Sequence, residues 1–150
     1  MTTFRFRLDK VLAWRRTQLE LAEADFRREA AALARLDRTA EELHIRAIET
    51  AAEVRNWNPV AGRDLAALSG YQRYVDCRAK ELADHRAGQA RIVAEREQAM
   101  LEARRRCRLL ERLRERRLAE WQTASQQELE QIAAESYLAR LARQSSIMNE

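Results

Sequence analysis

The sequence predicts an all-α protein: a long antiparallel two-helix coiled-coil hairpin whose second helix is longer and overhangs the first. Three observations predict it. The 150 residues include only 3 Gly and 1 Pro, so a β-rich domain has no residues from which to build its turns. Apolar residues make up 46% and charged residues 35%, with Ala, Leu, Glu, Arg and Gln prominent; this is the composition of long helices rather than of a disordered chain. Apolar positions recur at heptad spacing on both sides of a single break. The length suits one domain spanning residues 1–150.

The first helix is expected over about residues 7–56. Stepping by seven from Leu12 gives Leu19, Phe26, Leu33, Ala40, Ala47 and Val54, all apolar. The companion row reads Leu8, Arg15, Ala22, Glu29, Leu36, Leu43 and Thr50, a weaker second column of the same seam. The break falls at about residues 57–63. Pro59 disfavours helix at Asn58, Gly62 tolerates turn angles, and Asp64 suits the N-cap of the next helix.

The second helix is expected over about residues 64–143, with a frayed end at 144–150. Its seam reads Leu68, Tyr71, Val75, Leu82, Gln89, Ile92, Val93, Met100, Ala103, Cys107 and Leu110. The next heptad step lands on Arg117, and the phase resumes at Leu118, Trp121, Ser125, Leu129 and Ile132. Such a slip is a stutter. Folding the chain about residue 60 sets residue i near 120 minus i. Phe26 then meets Ile92 and Val93, and Leu12 meets Cys107 and Leu110. On this register helix 1 ends opposite about Arg114. Leu118, Trp121, Leu129, Ile132, Leu138 and Leu141 are then left without an internal partner, and an apolar stripe of that size predicts a docking surface.

Charge is unevenly placed. Residues 104–117 carry eight arginines against Glu111 and Glu115, a net of +6, while residues 118–150 have a net of −3. Arg104, Arg105, Arg106, Arg108, Arg112, Arg114, Arg116 and Arg117 have two readings. One is a solvated helix face with local Glu pairs, each worth about 0.3–0.5 kcal/mol. The other is an electrostatic contact with an acidic partner. A nucleic-acid contact is a third reading, weakened by the lack of interleaved aromatics or a base-reading motif.

No catalytic constellation emerges. Cys77 and Cys107 lie too far apart on one helix to bond to each other and read as small apolar residues of a reduced compartment. His44 and His85 fall ~13 Å apart along the hairpin, too far to share a metal. There is no Gly-rich phosphate loop and no nucleophile elbow. Catalytic residues, cofactors and metals are all expected to be none. No stretch is apolar enough for a membrane span, and the N-terminus lacks the apolar core of a signal peptide.

Three motifs then carry a resemblance. The opening Phe4-Arg5-Phe6-Arg7-Leu8-Asp9-Lys10-Val11-Leu12, followed by Arg15 and Arg16, is one. Tyr71-Gln72-Arg73-Tyr74-Val75 with Leu82 after the break is another. The third is Leu110-Glu111-Arg112-Leu113-Arg114-Glu115-Arg116-Arg117 followed by Trp121. In order and spacing the chain resembles the flagellar export protein FliJ family, the stalk of the type III export ATPase, with YscO-like relatives in non-flagellar systems. The sequence departs from that pattern at Ala134-Glu135, where the family often has Asp-Glu. It departs again at Arg78 and Glu81, where the pattern admits apolar residues; His85 fits.

The resemblance implies a non-catalytic cytoplasmic stalk and chaperone, peripheral at the inner face of the membrane. Its implied partners are a hexameric export ATPase, a membrane export gate and export chaperones, with no nucleic acid. It implies ATPase-ring contacts at Arg5, Arg7, Arg112, Arg114, Arg116, Arg117 and Trp121, and gate contacts at Tyr71, Tyr74 and His85. The alternatives are the equivalent stalk of a non-flagellar secretion system, or a generic basic coiled-coil scaffold or nucleic-acid binder.

Overall fold

A computed structural model describes the backbone of residues 3–147 and the side chains of residues 3–144. The protein is all-α, with two helices that pack against each other and no strand among the described residues. Helix α1 runs Asp9–Arg55 and helix α2 runs Gly62–Ile147, with 47 and 86 residues. Residues 144–147 of the expected frayed end are thus helical, and residues 148–150 lie outside the described residues.

The helix ends follow local chemistry. Asp9 in the first turn of α1 and Arg55 in its last turn oppose the helix dipole with the right signs. Asp64 does not sit at the N-cap. It lies in the first turn, and its Oδ2 accepts a hydrogen bond from the Ala61 N–H at 3.3 Å. That is the back-reaching half of a capping box, and it moves the start of α2 to Gly62.

The chain divides into two compact units, Gln18–Ala103 and Met1–Thr17 with Arg104–Glu150. In the first, Val54 and Leu82 are buried, and Leu19, Phe26, Leu33, Ala40, Ala47, Leu68, Tyr71, Val75, Val93 and Met100 are half-buried. The heptad columns thus line one seam. Ile92 departs from expectation: it faces solvent, and Val93 alone holds that seam position. The polar seam residues find each other. Gln89 Nε2 donates to Glu29 Oε2 at 2.8 Å and to the Glu29 carbonyl at 3.1 Å. Arg86 pairs with Asp37 at the seam's edge. These pairs run antiparallel, close to the register that folding about residue 60 predicts.

In the second unit Phe6, Leu12 and Cys107 form the core, at 6%, 2% and 3% exposure. Arg16 clamps Glu111 through Nε and Nη2 at 3.2 and 3.1 Å, and Arg114 meets Asp9 at 3.4 Å. Here the expected overhang needs correcting. Leu118, Trp121 and Ser125 are half-buried, and the phase slip falls where expected, with Arg117 exposed. Phe4, five residues before Asp9, reaches Trp121, seven residues beyond Arg114; the ring centroids are 5.9 Å apart. Extended chain advances ~3.3 Å per residue against ~1.5 Å for helix, so a few non-helical residues cover two turns of α2. The uncovered apolar side chains begin only at Leu129 and include Ile132, Tyr137, Leu138 and Leu141. No helix among the described residues is long and apolar enough to cross a membrane.

Candidate partner-binding interface

The N-terminal strap, residues 3–8, alternates in environment. Phe4 is half-buried and Phe6 buried, while Arg5 and Arg7 are exposed. Arg5 points out between the two packed phenylalanines, and the chain then turns, the Asp9 N–H donating to the Phe6 carbonyl at 3.3 Å, which leaves Arg7 and Leu8 exposed. The strap and α2 together border a groove of about 770 Å³, with Arg5, Arg7, Leu113, Arg117 and Trp121 among its walls.

Four of the seven residues expected to meet an ATPase line this groove together: Arg5, Arg7, Arg117 and Trp121. Their charges are not equivalent. Arg114 is held by Asp9, Arg116 by Glu120 at 3.1 Å, and Arg117 by the other Glu120 oxygen at 3.0 Å. One glutamate thus serves two arginines. These pairs are well exposed, so each contributes only about 0–1 kcal/mol, and a partner's carboxylate can compete for them. Arg5, Arg7 and Arg112 make no ion pair among the described residues. Arg112 is exposed on the side of α2 facing away from the seam.

The residues expected to meet a gate lie in the Gln18–Ala103 unit. Tyr71 is half-buried in the seam and stacks on Tyr74, with centroids 6.4 Å apart and planes 30° apart. Tyr74 is 60% exposed. Helical spacing sets Tyr74, Arg78, Glu81 and His85 on one stripe beside the seam. Arg78 and Glu81, the two departures from the family pattern, bind each other at 2.7 Å, and His85 is exposed. The stripe is accessible, with an internal ion pair at its middle.

The cysteines separate by environment. Cys77 is exposed, whereas Cys107, a seam position, is buried. Burial, and then the nearby Glu111 carboxylate, push the Cys107 thiol above its ordinary range. A thiol held protonated is a poor nucleophile and a good filler. No group of three or more metal-ligating side chains gathers among the described residues.

Sequence reasoning missed the Phe4–Trp121 contact and the neutralisation of Arg114 by Asp9. The Phe-x-Phe alternation was the available signal for the first. Nothing local signals the second, because 105 residues separate its partners. The Glu120 pairs were legible, since Arg116 and Arg117 stand four and three residues before it. Comparisons of the chain with protein-family models, curated proteins and solved structures found no match.

Proposed function

We propose that this chain is a non-catalytic stalk and chaperone component of a bacterial flagellar type III protein-export apparatus. It binds a hexameric export ATPase through its terminal unit and couples it to a membrane export gate through the Tyr71–His85 stripe. On this reading it is cytoplasmic and peripheral at the inner face of the membrane.

The observation that carries the proposal is the Phe4–Trp121 contact. It brings the two outermost family-like motifs, the alternating Phe-Arg opening and the arginine run ending in an aromatic, to one place. Two stretches far apart in sequence form one surface of guanidinium groups around an aromatic centre, and an exposed Arg-plus-aromatic surface suits protein docking.

Charge reversal tests it. The triple variant Arg112→Glu/Arg114→Glu/Arg116→Glu is expected to lose binding to the host's export ATPase while its helical circular dichroism stays high. Unchanged binding would sink the mapping. Deletion in the host separates the two kinds of secretion system: loss of motility supports the flagellar reading, and lost effector secretion in a motile strain contradicts it.

A further inference from the structure

Six of the eight arginines of residues 104–117 fall into two sets by what holds them. Arg114, Arg116 and Arg117 have carboxylate partners within the chain. Arg105, Arg108 and Arg112 are exposed and make no ion pair among the described residues. Their spacing is i, i+3 and i+7, which at about 3.6 residues per turn is one face of α2. That face points away from the seam formed by Ala103, Cys107 and Leu110. Leu109, 58% exposed, lies on the same face between the second and third arginine.

We infer that Arg105, Arg108, Leu109 and Arg112 form a docking stripe for an acidic amphipathic helix of a partner protein. The partner carries carboxylates at matching three- and four-residue spacing, with an apolar side chain to cover Leu109. The inference goes beyond the stalk reading and does not depend on which apparatus the chain serves.

Charge complementarity and the leucine select this occupant. Three guanidinium groups in single file over ~10 Å present planar forks that match carboxylates two bonds at a time. A helix lying on a lipid surface needs a broad apolar face, and one leucine among three arginines is not that. A nucleic-acid backbone takes the charges but gives Leu109 nothing to pack on. An acidic amphipathic helix satisfies both, through the helix-on-helix contact the rest of the chain already uses.

The test is fluorescence anisotropy of the full chain with a labelled twenty-residue helical peptide. The peptide carries glutamates on one face at three- and four-residue spacing, flanked by leucines. A control peptide of equal composition has its glutamates distributed around the helix. The patterned peptide is expected to bind more tightly than the control, and Arg105→Gln/Arg108→Gln/Arg112→Gln to weaken it about tenfold. Gln at Arg114, Arg116 and Arg117 should weaken it less. Leu109→Ser should also weaken it, with helical content unchanged in every variant.

Equal binding of the two peptides would overturn the inference, as would equal loss from the two arginine triples, because net charge alone would then explain binding. Tighter stripe-dependent binding of a twenty-base-pair duplex or of phosphatidylglycerol vesicles would overturn it in favour of those partners. Absence of binding to all probes would leave the arginines as a solvated face and would also overturn it. Arg112 belongs both to this stripe and to the expected ATPase contacts, so Arg114 and Arg116, which lie outside the stripe, separate a failure of this inference from a failure of the ATPase reading.

Discussion

Within Gln18–Ala103, polar groups at the seam are answered across the hairpin. Glu29 has Gln89 and Asp37 has Arg86. In the unit made by the two ends of the chain, the core is a few residues wide, Arg105, Arg108 and Arg112 make no ion pair among the described residues, and the apolar side chains from Leu129 to Leu141 face solvent. The two units put their polar side chains to different uses. One uses them to specify a register, because a polar pair in an apolar seam fits in a single alignment. The other leaves groups open to an outside partner.

The two cysteines give the largest expected contrast. Cys77 in the hairpin unit is exposed, whereas Cys107 in the terminal unit is buried with its thiol pushed up. Labelling by a disulfide reagent at pH 8 should modify Cys77 at least about a hundredfold faster, since Cys107 must wait for local opening. Equal rates would mean that the terminal unit opens freely and has no fixed core.

Core truncations come next. Leu82→Ala and Leu12→Ala each remove a buried leucine, one per unit, and each should cost about 2–4 kcal/mol in urea denaturation followed by circular dichroism. Phe6→Ala should cost less globally, because it releases a strap rather than a helix. Its signature is local: in a Trp14→Phe/Trp57→Phe background, Trp121 emission should shift to the red as Phe4 leaves. An unmoved emission maximum would contradict the strap packing.

The smallest effect is the pH dependence of the Gln89–Glu29 pair. The Gln89 hydrogen bond, more than any other influence, holds the Glu29 carboxyl below its ordinary value of 4.5. A depressed folded-state pKa contributes stability that is fully present above the ordinary value and is lost as pH falls through the lowered one. Gln89→Ala should therefore reduce stability at pH 7 and flatten this part of the decline below about pH 4.5. An unchanged pH profile would show that the pair sets no register energy.

The periodic part of the fold was legible. Seven apolar residues at heptad spacing from Leu12 to Val54 are all buried or half-buried, because a 3.5-residue repeat leaves a helix one way to hide them. The strap was not. Phe4 to Leu8 carry too few residues for a periodicity, and their partner lies more than a hundred positions away. For that reason Trp121 was expected bare and is half-covered. Ile92 failed for a related reason: two adjacent apolar residues cannot both face one narrow seam, and the sequence does not say which yields. The arginine run was legible as charge. The holding of Arg116 and Arg117 by Glu120 was legible too, but that of Arg114 depends on Asp9, which only the fold brings near.

On the proposed reading, this hairpin works by docking its terminal unit on an export ATPase. The most direct measurement is a tagged pull-down from the native host after nuclease treatment, with retained proteins identified by mass spectrometry. A hexameric export ATPase together with export-gate components is expected, both lost in the Arg112→Glu/Arg114→Glu/Arg116→Glu variant. Recovery of ribosomal or nucleoid proteins instead, with no ATPase, would contradict it and make the arginine run a nucleic-acid contact.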